Sequence, residues 1–253
     1  GSTRVGKLLM RQCADSVKKL SLELGGNAPF IVFEDADLDA AVKGLVASKY
    51  RNAGQTCVSS NRILVQASVM DAFVAKLREV VCGMQVGAGA NPHTAVGPLI
   101  NRAALDKVDG LVQDALSKGA EAVLGGSPHA LGGNFYQPTI LAGVTRDMEI
   151  ARAEIFGPVA PLFSFETEDE AVALANDTAY GLAAYFYARD LGRIWRVAEA
   201  LEFGMIGLNE TGISSEAAPF GGIKESGIGR EGSKYGLDDY VEIKYLCMGG
   251  ISR

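Results

Sequence analysis

Five short apolar runs limit the fold of this chain more than any other feature: PFIVF at 29–33, RILVQ at 62–66, VAPLFSF at 159–165, AAYFYA at 183–188 and GMIGLN at 204–209. Each is strand-length, rich in β-branched or aromatic side chains, and nearly continuous in its apolar character, the pattern of a strand covered on both faces. Between and around them lie segments with helical spacing. LDAAVKGLVASKYRNAG opens after Asp37, a suitable N-cap, and is expected to be helical to Gly54. Further helices are expected around 70–81 and 101–118, at EDEAVALAN and at LGRIWRVAEALE. VGKLLMRQCADSV (5–17) reads as a helix running into KKLSLEL, which alternates like a strand, and AEAVL reads as another strand before a glycine-rich loop to Asn134. Strands alternating with helices specify an α/β fold, a mostly parallel sheet flanked by helices. The tail LDDYVEIKYLCMGG reads as an extended edge segment available to another subunit or domain.

Composition narrows the functional classes. With 253 residues, 48% of them hydrophobic, the chain can fill a core for one large or two modest domains. No stretch approaches the ~18 apolar residues of a membrane span, and the first residues lack a signal-peptide core, so a cytoplasmic or organelle-matrix protein is expected. The net charge is −6 and basic residues are scattered, which disfavours nucleic acid as a partner. The four cysteines, at 13, 57, 82 and 247, form no metal or disulfide spacing, and no metal is expected. The two histidines, His93 and His129, sit among turn-forming residues, poor places for a well-held catalytic base.

The cysteines are not equivalent. Cys13, Cys82 and Cys247 lie in apolar-periodic stretches and read as small packing residues. Cys57 instead follows Asn52-Ala53-Gly54-Gln55-Thr56 and precedes Ser59, Ser60 and Asn61, a setting that brings backbone close to a ligand. A thiol with an ordinary pKa of about 8.5 is mostly protonated at neutral pH, so a nucleophilic Cys57 needs a base or a positive potential. Glu23 in LELGGNAP is the candidate base. It alternates with Leu22 and Leu24 along a strand, so it faces away from them, and Gly25-Gly26 permits a bend beside it. A lone carboxylate there reads equally as a solvated surface group.

Taken in order, LELGGNAP with Glu23, GQTC with Cys57, EIFGPV with Glu154 and Phe156, and PFGGIKESGIGRE at 219–231 resemble the NAD(P)-dependent aldehyde dehydrogenase family over essentially the whole chain. SKYRNAGQTC, INRAALDKV, GLNETGISSEAAPFGG and the tail are similar to its succinate-semialdehyde branch. Members of that family are about twice this long, so the chain resembles the catalytic, C-terminal half. The resemblance implies residues 1–25 as a remnant of the dinucleotide-binding domain, 26–225 as the catalytic domain, and 226–253 as a return segment with an oligomerisation strand. It also implies a homo-oligomer in the complete enzyme, located in the cytoplasm or, in a eukaryote, the mitochondrial matrix.

The implied chemistry is specific. Cys57 attacks the aldehyde, hydride leaves to NAD or NADP, and Glu23 activates the water that hydrolyses the thioester. Cys57 N–H contributes to an oxyanion site, whose asparagine partner belongs to the missing half. Glu154 accepts hydrogen bonds from the nicotinamide-side ribose, Phe156 packs beside it, the Leu24 carbonyl meets the carboxamide, and Gly1 and Ser2 match a turn near the phosphates. Arg51 binds the far carboxylate of the aldehyde, helped by Ser214, or by Ser215 in another loop register. Read without the family, Glu154 and Arg51 are ordinary ion-pair partners and Phe156 is core. Ser59 stands where some relatives carry a second cysteine, so no disulfide switch is expected there. GIGREG (227–232) satisfies a dinucleotide pattern, yet reads as a glycine-rich turn before a short helix. The nucleotide site is expected to be incomplete and the chain inactive alone as a dehydrogenase; a nucleotide-independent thiol esterase and a non-catalytic assembly fragment are the alternatives.

Overall fold

The computed structural model describes residues 1–250. Its elements are α1 (Thr3–Ala14), β1 (Leu22–Glu23), β2 (Ala28–Val32), α2 (Leu38–Lys49), β3 (Ser60–Gln66), α3 (Met70–Cys82), α4 (Arg102–Ser117), β4 (Glu121–Leu124), β5 (Thr139–Ala142), β6 (Val159–Phe165), α5 (Glu168–Asn176), β7 (Tyr180–Gly181), β8 (Ala183–Tyr187), α6 (Leu191–Ala200), β9 (Met205–Leu208), β10 (Ile223–Lys224) and β11 (Gly227–Ile228). Seven strands form one sheet in the order β4-β5-β6-β3-β2-β8-β9. All neighbours are parallel except β4 and β5. The α/β fold class expected from the five apolar runs is the observed one, and those runs supply the five contiguous strands β6, β3, β2, β8 and β9.

Burial on both faces is what made these strands continuous in the sequence. Phe30, Ile31, Val32, Ile63, Val65, Leu162, Phe165 and Phe186 are all essentially inaccessible, because helices cover the sheet on either side. Helix starts are fixed by oxygen-bearing caps. Asp37 accepts from the N–H groups of Asp39 and Ala40 at 3.1 Å, and Asn101, Thr167 and Asp190 do the same for α4, α5 and α6. No helix among the described residues is long and apolar enough to cross a membrane.

Several expectations need correction. α2 ends at Lys49, not Gly54; a 3₁₀ turn over Arg51–Gly54 follows, with Asn52 and Ala53 in the left-handed region at φ 53° and 55°. The helical spacing of that stretch conceals a turn that helix periodicity cannot register. KKLSLEL is a strand only at Leu22–Glu23, because Lys18 and Lys19 find no sheet partner; Lys19 Nζ instead donates to the carbonyls of Asp238 and Val241. β5, the four residues Thr139–Ala142, carries too short a signal to be read from sequence and forms by pairing with β6 and β4. The tail from Asp238 to Gly250 pairs with no strand among the described residues, and its Tyr240, Ile243, Tyr245 and Met248 are exposed. Cys82, at the solvent side of the end of α3, and Cys247, in that tail, are exposed rather than packed; Cys13 is half-buried.

Candidate active site

Three loops lead directly into three adjacent parallel strands: 23–27 into β2, 55–59 into β3 and 154–158 into β6. Neighbouring strands lie ~5 Å apart, so Glu23, Cys57 and Glu154 are delivered to one end of the sheet by its topology. It is the amino end of these strands, whereas open α/β sheets ordinarily place ligands at the carboxyl end. There a cleft of about 700 Å³ is lined by Gly1, Ser2, Glu23, Leu24, Thr56, Cys57, Glu154 and Phe156 among others. All seven residues expected to serve catalysis or the nucleotide are therefore brought together.

The Cys57 turn is held from several directions. Ser59 N–H bonds Thr56 C=O at 3.1 Å, closing a turn around the thiol. The Tyr185 hydroxyl donates to Val58 C=O at 2.7 Å, and Gln55 ties the preceding residues to 98–100 through Pro98 C=O and Ile100 N–H. Gly26 packs against the Cys57 carbonyl so closely that a side chain would begin 2.3 Å from it, which no residue but glycine allows. Similarly, a side chain at Gly25 would begin 2.9 Å from Glu154 Oε2, so this wall is bare backbone. Glu154 Oε1 accepts the Gly26 N–H at 3.0 Å. Phe156 lies in the left-handed region at φ 55°, a conformation an aromatic residue holds only when its surroundings impose it. Ser2 caps α1 by accepting the Val5 N–H, and Gly6 in the first turns of α1 packs directly on Leu24.

A second pocket, about 280 Å³, adjoins the cleft and is lined by Arg51, Ser214, Ser48, Tyr185 and the 210–213 loop. Thr56 belongs to both walls. Arg51 and Ser214 thus face a space on the far side of the thiol-bearing turn. Ser215 is turned into its own loop, where its hydroxyl accepts the Ala217 N–H at 3.3 Å.

Charge in the cleft runs opposite to the requirement stated for a nucleophilic cysteine. Burial pushes the Cys57 thiol up, and the carboxylates of Glu23 and Glu154 push it further; only the amides of Cys57 and Val58 act to lower it. Burial, with Glu231 nearby, raises Glu23 to about 7, partly offset by Arg230. Both Glu23 carboxyl oxygens are buried and, among the described residues, in no ion pair; the Gly222 amide nearby draws the group down only in part, so it is poised to take a proton. Burial also raises Glu154. Among the described residues no group of three or more His, Cys, Asp or Glu is placed to hold a metal.

Other residues that position the site were not singled out by sequence. Asn61, 3% exposed, donates to Asn27 Oδ1 at 2.6 Å and to Ala153 C=O at 2.7 Å, and accepts the Ile155 N–H at 3.0 Å. It clasps all three loops behind the cleft. Arg62 donates to the carbonyls of Asn27, Leu174 and Ala175. Lys107 on α4 lines the cleft and donates to Glu154 C=O at 2.6 Å. The signal available for Asn61 and Arg62 was a polar pair opening an otherwise apolar strand, where buried polar groups must find partners.

Residues 1–246 match the aldehyde dehydrogenase family model. The chain is 60% identical to a glutarate-semialdehyde dehydrogenase of Pseudomonas aeruginosa, covering 99% of this chain and 52% of that protein. It is 59% identical to the NADP(+) succinate-semialdehyde dehydrogenase GabD of Escherichia coli, covering 98% and 52%. The solved succinate-semialdehyde dehydrogenase of Burkholderia pseudomallei superposes with a TM-score of 0.97 at 62% identity, over 98% of this chain and 52% of that one. The chain spans about half the length of the curated relatives it matches. A family match over nearly every residue, on a fold that places the family's motifs around one cleft, establishes that this chain belongs to the aldehyde dehydrogenase family.

Proposed function

We propose that this chain is the catalytic half of a semialdehyde dehydrogenase, oxidising succinic semialdehyde, or a similar aldehyde with a carboxylate at its far end, with NAD or NADP. The observation that carries the reading is the pairing of two spaces across Thr56: a cleft holding Cys57 and Glu23, and a pocket holding Arg51 and Ser214. A substrate with an aldehyde at one end and an anion at the other spans them. Relatives named for succinate and glutarate semialdehydes support that class. They differ by one methylene, worth only about 1–3 kcal/mol of discrimination in a pocket.

With its thiol proton released to solvent, Cys57 Sγ adds to the aldehyde carbon, forming a C–S bond, and the carbonyl oxygen takes up the negative charge near the Cys57 N–H. Loss of hydride from that carbon converts the adduct to a thioester. Glu23 then removes a proton from water, the oxygen attacks the thioester carbon, and the C–S bond breaks to give the acid and a Cys57 thiolate, which takes up the proton held by Glu23. The residues present suit a nicotinamide nucleotide: Glu154 offers a carboxylate for ribose hydroxyls, Phe156 an apolar wall, Leu24 a backbone carbonyl, and Gly1-Ser2 the capped start of α1. Gly25 leaves the backbone bare beside Glu154, room that a side chain would fill. Such a nucleotide supplies the hydride acceptor. The complete enzyme is proposed to be a homo-oligomer, with the unpaired apolar tail as a subunit contact.

The test is discrimination between substrates in the polypeptide that carries a complete nucleotide site. Arg51→Ala is expected to raise KM for succinic semialdehyde about 10- to 100-fold, the loss of a hydrogen bond to a charged group, ~1.5–3 kcal/mol. Butanal, which has no carboxylate, should be oxidised as before. Equal losses on both aldehydes would remove Arg51 from carboxylate recognition.

A further inference from the structure

Tyr185 lies in β8 between β2 and β9, opposite Phe30 on one side and Gly207 on the other, and is 1% exposed. A side chain at Gly207 would begin 2.8 Å from the Tyr185 ring and 3.1 Å from Ile213, so bare backbone on β9 admits both the ring and the 210–213 loop. The residue reaches two places at once. It lines the pocket of Arg51 and Ser214, and its hydroxyl donates to Val58 C=O at 2.7 Å. A phenol has one hydrogen to donate, and here the backbone holds it. Burial pushes the phenol up, so it stays protonated and remains a donor at neutral pH. The peptide between Val58 and Ser59 is held at both ends: its N–H donates to Thr56 C=O at 3.1 Å, and its C=O accepts from Tyr185. Of these two bonds, the one from Tyr185 comes from outside the turn. Thr56 C=O belongs to the peptide whose N–H is that of Cys57, so two hydrogen bonds run from the phenol to the amide beside the thiol. The amides of Cys57 and Val58 are the groups that favour the thiolate against burial, Glu23 and Glu154.

We propose that Tyr185 is a positioning residue for the thiol and not a contact for the substrate carboxylate: from the wall of the Arg51 pocket its hydroxyl holds Val58 C=O, and through the turn it aims the Cys57 amide and thiol at the cleft. The proposal rests on Cys57 as the nucleophile and on the Arg51 pocket as the carboxylate site. Recognition of the far anion falls to Arg51 and Ser214, while Tyr185 serves every aldehyde alike. Removing the phenol oxygen leaves Val58 C=O buried without its partner, and the turn then adjusts to recover one. That adjustment moves the amides that face the thiol.

The experiment is alkylation of Cys57 in the 253-residue chain by iodoacetamide, an uncharged probe with no carboxylate for the Arg51 pocket, read by mass spectrometry of the peptide that carries Cys57. Tyr185→Phe should slow the reaction about 3- to 10-fold at mildly alkaline pH, the scale of one hydrogen bond. Tyr50→Phe is the matched lesion, since it takes another buried phenol from another backbone carbonyl, Thr139 C=O at 3.0 Å, and should leave the rate as it is. Equal slowing by the two variants would reduce Tyr185 to a packing residue and overturn the proposal, as would an unchanged rate in Tyr185→Phe. In the polypeptide that carries a complete nucleotide site, Tyr185→Phe should lower kcat/KM by the same factor for succinic semialdehyde and butanal. A loss confined to succinic semialdehyde would make the phenol a carboxylate donor and overturn the proposal too. Should Tyr185→Phe fail to fold, para-aminophenylalanine at position 185, with the same shape and a weaker N–H donor, carries the test: alkylation should be slower than in the parent, and the parent rate would overturn the proposal. Slowed alkylation in Tyr185→Phe together with unaltered oxidation of succinic semialdehyde by Arg51→Ala would uphold the positioning role and instead defeat the carboxylate reading of the pocket.

Discussion

At the residue scale, Cys57 is the least expected result, because its immediate environment holds its proton on. Glu23 and Glu154 both disfavour the thiolate, although Glu23 is the group proposed for the later hydrolytic step and Glu154 for the nucleotide. The two effects separate experimentally. Glu23→Gln removes a negative neighbour, so alkylation of Cys57 by iodoacetamide at mildly alkaline pH should be faster in this variant than in the parent. The same change removes the proposed general base, so in a complete enzyme turnover should stall at the thioester; normal steady-state oxidation by Glu23→Gln would exclude Glu23 from hydrolysis. Because burial raises Glu23 to about 7, hydrolysis should climb as pH rises through that value, and this limb should disappear with the base. For stability the sign is reversed. The folded chain keeps the Glu23 proton between 4.5 and about 7 while the unfolded chain has lost it, so this group favours folding at acid pH and disfavours it above 7. Cys57→Ala should abolish both alkylation at this position and turnover.

At the element scale, the site depends on three loops entering neighbouring strands, and on Asn61 holding those loops together from behind. Asn61→Ala leaves Asn27 Oδ1, Ala153 C=O and Ile155 N–H buried without their partner. Each such loss costs about 1–3 kcal/mol, so urea unfolding should show a loss near ~3 kcal/mol after partial relaxation. Because Asn61 links the loops that carry Cys57, Glu23 and Glu154, thiol reactivity should change along with stability; a stability loss with unaltered alkylation kinetics would show that the clasp does not set the site. The strands were legible because burial on both faces leaves a continuous apolar signature, and the Asp37 cap because it precedes regular periodicity, whereas the caps at Asn101, Thr167 and Asp190 came only with the structure. The turn at Arg51–Gly54 was not legible, since its left-handed residues Asn52 and Ala53 follow helical spacing without a break. Nor was β5, which exists through pairing rather than propensity.

At the scale of the whole molecule, the chain lines a cleft and spans about half the length of its curated relatives. Leu8, Leu9 and Met10 on α1 and Ile243, Tyr245 and Met248 in the tail are exposed. Incubated alone with aldehyde and NAD or NADP, the chain should form no reduced nucleotide, and supplying the preceding half of the polypeptide should restore formation. Robust turnover by the chain alone would contradict a split nucleotide site, and Cys57-dependent ester hydrolysis without nucleotide would favour the esterase alternative. What the sequence determined by itself was the α/β class, the order of the strand runs and the family motifs, because periodicity and local residue chemistry are written in consecutive positions. Tertiary structure alone decided that Glu23, Cys57 and Glu154 share a cleft and that Arg51 and Ser214 face an adjoining pocket. Those outcomes depend on which loops enter adjacent strands and on how much water is excluded between them, quantities that belong to the packed sheet and not to any stretch of the chain.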